Sequence, residues 1–346
     1  MRMGLKIFRN VFIILLISIL SIFGMYLWNH DRKRKEIEAF WKERRASKIR
    51  DFGSVKTLSI LPLVNWHKNK DGFRTEMGVS YLIVTDGKKI LFDVAHNAKG
   101  ESPSPLIHNM KELGISIKEI DTIFLSHLHF DHVGGKKWEK NKTFSLDKEQ
   151  IDLSGKEVFA PVEIRYPKIK PRTISETTVL FPGIASLGPI PRQLFMGRID
   201  EQALAIHVQG KGIVLISGCG HQTLPKLIEE LETVFEEKIY GIVGDLHYPV
   251  PEGRLQFLGL NLQKIFASGS DPFHTIEEKD VEEDIRLLKN KNIALIGVGG
   301  HDSSDDVIFK FENEFKKAYR KVRVGDWIHV ATKPDFERLN SPGKEK

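Results

Sequence analysis

Residues 125–135 read LSHLHFDHVGG and bring His127, His129, Asp131 and His132 within six positions of one another, in a chain with only thirteen histidines. The preceding DTIFLS (121–126) is a short apolar run that reads as a buried strand. In an extended segment positions i and i+2 point the same way, so His127 and His129 offer two imidazoles to one point, while Asp131 and His132 face a second. Imidazole nitrogen combined with carboxylate oxygen suits Zn, Mn or Fe, and excludes Ca, which takes oxygen alone. Gly134 and Gly135 then allow a sharp turn into a helix.

Three later segments repeat the pattern. KGIVLIS (211–217) runs into GCGH, EKIYGIV (237–243) into GDLH, and NIALIGV (292–298) into GGH. Each is a strand followed by glycine and a polar cluster that ends in His221, His247 or His301. Loops that follow strands of an α/β sheet gather at one edge, so these histidines are expected to meet the first cluster there. His221 and His301 thereby become candidate ligands. Of Asp245 and His247, one is expected to reach the site and the other to orient a ligand. Asp93, closing the strand in ILFDVAHN, is either a partner for a ligand or a turn cap. Arg192 in GPIPR is a candidate clamp for an anionic substrate group. Cys219 reads as a small buried residue and is not counted among the ligands.

The LSHLHFDHVGG stretch resembles the HxHxDH signature of the metallo-β-lactamase superfamily. More narrowly, ILFDVAHN, GPIPR, DEQALAI, KGIVLISGCGH, IYGIVGDLH and VGDWIHV are similar to its 7,8-dihydropterin-6-methyl-4-(β-D-ribofuranosyl)aminobenzene-5′-phosphate synthase-like branch. The resemblance covers most of residues 78–330. It implies an αββα sandwich with a dinuclear metal site at one edge, His127 and His129 on one ion, Asp131 and His132 on the other, and His221 and His301 completing the set. It also implies a bridging aspartate after a late strand, for which Asp245 is the nearest candidate. The chain departs from the branch in reading GCGH, GDLH and GHDS for GCSH, GGFH and HCTG, and in the long segment after His247.

The first fifty residues are of another kind. Residues 11–28 (VFIILLISILSIFGMYLW) carry no charge, and as a helix span roughly 27 Å, enough for a hydrocarbon core. No small-residue cleavage site follows, so an uncleaved single-pass anchor is expected. Residues 31–50 hold nine Lys/Arg against four Asp/Glu, a basic collar suited to anionic headgroups. With Arg2, Lys6 and Arg9 the first fifty residues carry +8, so the other 296 carry −2 of the chain's +6. The body therefore has no basic excess, which argues against nucleic-acid binding. By the positive-inside rule the collar leans the body towards the cytoplasm.

The expected organisation is an anchor over 1–30, a juxtamembrane linker over 31–54, a catalytic domain over 55–332 and a polar tail over 333–346. Within the domain, Asp86-Gly87 marks a hairpin turn, and residues 106–113 a helix closed by Gly114. The proline-rich stretch 136–194 is expected to be an insertion covering the site. The apolar FLGLNLQKIF (257–266) lies in a segment, 253–273, that reads as core, lid or membrane contact. The leading expectation is a membrane-anchored hydrolase using two divalent ions, zinc first, with Asp131 as catalytic residue, on a phosphorylated or amphiphilic small molecule. A pterin-related condensing transferase and a non-catalytic metal sensor are the alternatives.

Overall fold

The computed structural model describes residues 2–43, 48–269 and 273–331. The polar tail expected at 333–346 lies outside the described residues. Two sheets form the body. One has seven strands in the order Ile328–His329, Leu58–Val64, Ser80–Thr85, Lys89–Phe92, Thr122–Phe124, Glu157–Ala160 and Arg172–Thr173. The other has six, in the order Leu295–Val298, Ile239–Gly244, Gly212–Ser217, Leu204–Val208, Ile184–Ser186 and Thr178–Phe181.

Side chains of both sheets, among them Ile60, Phe92, Phe124, Ile206, Val214 and Val243, pack face to face in one buried cluster. Each such side chain contributes roughly 1.5–3 kcal/mol. The strands are buried on both faces, which is why Leu58–Val64 (LSILPLV) does not alternate with polar residues.

Helices cover the outer faces. Helix α1 (Arg2–Glu43) precedes the body, α2 (Pro105–Glu112) covers the first sheet, and α3 (Lys136–Lys140) follows the histidine motif. Helix α4 (Leu224–Val234), α6 (Glu278–Asn290) and α7 (Asp305–Phe315) cover the second sheet, with α5 (Leu262–Ala267) lying between α4 and α6 in sequence. The result is an αββα sandwich. Local chemistry sets the ends: Ser104 Oγ accepts the Ile107 N–H at 3.1 Å ahead of Pro105, and Gly114 takes φ +68° after α2.

One expectation changes. Residues 136–194 are not a cover over the site; they supply the last two strands in the order of each sheet. The prolines there separate short strands, and an edge strand such as Arg172–Thr173 needs little pattern. Helix α1 runs past residue 30 to Glu43. From the last residues of its apolar run onward it lies against the hairpin of Ile190–Leu194 and Gly197–Glu201. There Tyr26 Oη donates to the Phe195 carbonyl, His30 Nε2 lies 3.0 Å from the Leu194 carbonyl oxygen, and Ile37 is buried.

Candidate metal centre

The strands Thr122–Phe124, Gly212–Ser217, Ile239–Gly244 and Leu295–Val298 all end at one edge of the sandwich. His127, His129, His132, His221, His247 and His301 come together there. The His127 and His129 rings are 4.6 Å apart, His129 and His221 4.9 Å, His221 and His247 4.5 Å, and His132 and His301 5.2 Å. Asp131 Oδ2 is 3.5 Å from His301 Nε2. Backbone geometry makes this packing possible: a Cβ on Gly134 (φ +92°) would run into the Ser145 carbonyl, and one on Gly299 into the Asp245 carboxylate.

Cys219 sits at the centre of the cluster. Its Sγ is 3.0 Å from His132 Nε2 and 3.3 Å from His301 Nε2. Three donor groups share it: His127 with His221, His132 with His301, and His247 with Asp302. Composition alone suggested an inert buried residue. The signal was its place between two glycines, two residues before a histidine, at the end of a strand.

Each histidine loop has its own support. Asp93 Oδ2 lies 2.6 Å from His132 Nδ1 and accepts the Ser126 hydroxyl at 2.6 Å, while Oδ1 accepts the Ser126 N–H at 2.7 Å. Asp302 Oδ2 is 2.7 Å from His247 Nδ1 and holds it in a left-handed backbone, φ +57°. Glu201 accepts the successive N–H groups of Cys219, Gly220 and His221 at 2.8–3.0 Å. Its neighbour Gln202 stitches the sheets together, donating its backbone N–H to Ser126 O and its amide to Leu125 O. Asp302 and Glu201 were not foreseen as site residues; Asp302 follows His301 directly, and Glu201 lies in the DEQAL match.

Asp245 takes no bridging place. Its Oδ2 accepts Tyr81 Oη at 2.7 Å and Asn65 Nδ2 at 3.0 Å, and its Oδ1 accepts the His301 N–H at 2.9 Å. It braces the His301 loop from behind, and His247 is the member of that pair at the cluster. Arg192 donates Nη1 to the His221 carbonyl at 2.7 Å and lines a cavity of about 460 Å³ that His247 also lines.

Burial, reinforced by neighbouring imidazoles, keeps His127, His221 and His301 well below the usual histidine range, and His129 at about 3. They are neutral donors at neutral pH. Burial also acts on His132, but the charge and hydrogen bond of Asp93 outweigh it and lift His132 to about 9. Burial raises Asp131 above the ordinary carboxylate value and pushes the Cys219 thiol up.

The donor set fits a transition-metal ion. Nδ1 and Nε2 of His221, Nε2 of His247, Nδ1 of His301 and Oδ1 of Asp131 are buried without a hydrogen-bond partner. A bare buried polar atom costs roughly 1–3 kcal/mol, a cost that coordination removes. Nitrogen, sulfur and carboxylate donors suit zinc and its neighbours.

A family model described as the metallo-beta-lactamase superfamily matches residues 74–144. The αββα sandwich is the fold of that superfamily. It is 28% identical over 258 residues to 7,8-dihydropterin-6-methyl-4-(beta-D-ribofuranosyl)-aminobenzene-5′-phosphate synthase of Methanocaldococcus jannaschii, an alignment that covers 58% of this chain and 80% of that one. Its fold is similar to that of a solved metal-dependent hydrolase of the beta-lactamase superfamily, with TM-score 0.55 and 18% identity over 79% of this chain and 99% of the other. The metallo-beta-lactamase fold protein YhfI of Bacillus subtilis aligns over 80% of this chain and all of its own, with TM-score 0.48 and 10% identity.

Proposed function

We propose that the protein is a membrane-anchored hydrolase that uses two divalent ions, zinc first and manganese or iron next, to cleave a phosphoester or phosphodiester. The observation behind this reading is the set of buried donor residues gathered round Cys219, with unpartnered atoms on His221, His247, His301 and Asp131. His127, His129, His221 and Cys219 would hold one ion, and Asp131, His132, His301 and Cys219 the other. Divalent ions held there supply Lewis acidity to water and to a substrate oxygen. Asp131 takes the proton of the attacking water, and His247, fixed by Asp302, presents Nε2 to the leaving group. Arg192, on the cavity wall, pairs with an anionic substrate group.

The anchor is α1, whose residues 6–43 include a window of mean hydropathy 2.5 that the body leaves wholly unburied. Nine basic residues after its apolar half against three before it favour the cytoplasmic side for the body. The full chain, loaded with Zn, Mn or Fe in detergent, is to be assayed on a chromogenic phosphodiester. Metal-dependent turnover that Asp131→Asn removes supports the hydrolase. Metal binding without turnover on any phosphoester supports a sensor. The 28% identical synthase favours one second reading, a condensing transferase; release of diphosphate only when a second substrate is added would establish it.

A further inference from the structure

Outside α1, nine large apolar side chains are exposed among the described residues, and seven of them fall in two segments joined at Met196 and Phe266: Met196, Leu255, Phe257, Leu258, Leu260, Phe266 and Phe273. Six come from residues 255–273, and the seventh, Met196, donates its N–H to the Phe266 carbonyl at 3.2 Å. Leu258 is 86% exposed at the tip of a tight hairpin, where Gln256–Phe257 pairs with Leu260–Asn261 through Leu258 (φ +48°) and Gly259 (φ +78°). Scattered apolar residues need no explanation, but a contiguous patch marks an interaction surface.

The hairpin is firmly seated. Arg254, at its base, donates Nε to the Gly300 carbonyl at 2.8 Å and Nη2 to the Ser303 carbonyl at 2.6 Å. Asn261 Nδ2 donates to the Pro249 carbonyl at 2.7 Å, and the Leu262 N–H to the Leu255 carbonyl at 3.0 Å. A rigid base with an apolar tip is the form of an element that projects into an apolar medium.

The medium is indicated by what adjoins the patch. Phe195 packs edge-on against Tyr26 of α1 at 5.4 Å and stacks on Phe266 of α5 at 5.5 Å. Tyr26 is two residues, roughly 3 Å, short of the end of the apolar run at Trp28. Tyrosine and tryptophan in that position mark the water interface of a spanning helix. The patch is thus continuous with the part of α1 that would leave the hydrocarbon, and the basic residues Arg32, Lys33, Arg34 and Lys35 follow within two turns.

We infer that the hairpin Gln256–Asn261, together with Met196 and Phe266, is a second lipid contact that lies in the surface of the same bilayer α1 spans. This inference rests on the reading of α1 as an anchor. The cavity beside His247 shares its walls with this surface, through Arg192 on one strand of the Phe195 hairpin and Ser268 at the end of α5.

The test uses the full chain, one copy per nanodisc of phosphatidylcholine and phosphatidylglycerol. An environment-sensitive fluorophore is placed on Leu258→Cys, on Met25→Cys in the apolar run and on Lys111→Cys of α2. Cys219 is buried and does not compete for the label. The expected result is blue-shifted emission, quenched by lipids brominated on their acyl chains, at positions 258 and 25 but not at 111. Quenching at 25 without 258 overturns the hairpin contact and leaves the anchor standing. Loss at both overturns the anchor and the contact with it. Quenching at 111 as well, or shielding of 258 only in discs holding two copies, assigns the patch to non-specific adhesion or to a second chain and overturns it.

Discussion

The Asp93 carboxylate stands 2.6 Å from Nδ1 of His132 and on its other side binds both the hydroxyl and the backbone N–H of Ser126. The aspartate thereby fixes the ring so that Nε2 points at Cys219, and makes the imidazole a stronger donor. Asp93→Asn keeps the shape and removes the charge. His132, no longer held up at about 9 by that charge, should titrate lower, and metal affinity should fall about 10–100-fold. Metal competition against a chromogenic chelator measures the loss; unchanged affinity would show that Asp93 only caps the turn.

Purified protein should hold about two transition-metal ions per chain. His129→Ala should lower that occupancy and the thermal midpoint together, because metal binding and the ordering of the ligand loops are linked. Elemental analysis beside a melting curve reads both, and a fully active metal-free chain would end the metal hypothesis.

Asp131→Asn should reduce turnover far more than metal content. An amide oxygen still coordinates weakly, but the amide cannot take a proton from water. A loss of about 10²–10⁴-fold in kcat with most metal retained is the expected outcome. A wild-type rate with both ions bound would remove Asp131 from the mechanism.

Glu201 ties three consecutive N–H groups of the Cys219–His221 loop to the end of the hairpin strand Gly197–Glu201. In Glu201→Gln the new NH₂ group faces at least one of those donors, leaving it without an acceptor at a cost of roughly 1–3 kcal/mol. Denaturant unfolding of the metal-free protein should show the loss, and hydrogen exchange should place it at residues 219–221. Protection equal to wild type there would contradict this role.

Asp284 gives a pH signature away from the histidines. Burial, with Asp280 and Glu283 nearby, holds its carboxyl up at about 6 although Tyr248 Oη donates to it at 2.7 Å. Its folded value is above its unfolded one, so its contribution is fully present below pH about 4 and is lost as pH rises through about 6. Asp284→Asn keeps an acceptor for Tyr248 and removes the titration. Relative to wild type, the variant should gain up to about 3 kcal/mol between pH 4 and 7. Parallel unfolding curves for the two proteins would refute the shift.

The strand-to-glycine-to-histidine pattern was legible because it is local: each loop carries its own apolar run, its turn residues and its donor. That placed His127, His129, His132, His221 and His301 in one cluster and left Asp245 and His247 for geometry to separate. Cys219 was missed because burial and ligation make the same demand on a thiol in sequence. Glu201 was missed because it meets Cys219 only through the pairing of strands Leu204–Val208 and Gly212–Ser217. The strands within 136–194 were hidden by prolines that break the period without preventing short edges. FLGLNLQKIF shows the limit of hydropathy, which says that side chains avoid water and not whether protein or lipid receives them.

Helix α1 passes from its apolar half to its packed half without a hinge, gripped through Tyr26, His30 and Ile37. Were α1 to span a bilayer as proposed, a chain anchored this way would have no swivel. The body would not tumble on its tether; it would keep one fixed face towards the bilayer, drift laterally as a unit, and spin only about the membrane normal. Solutes from the bulk would then meet the same outward hemisphere at every encounter.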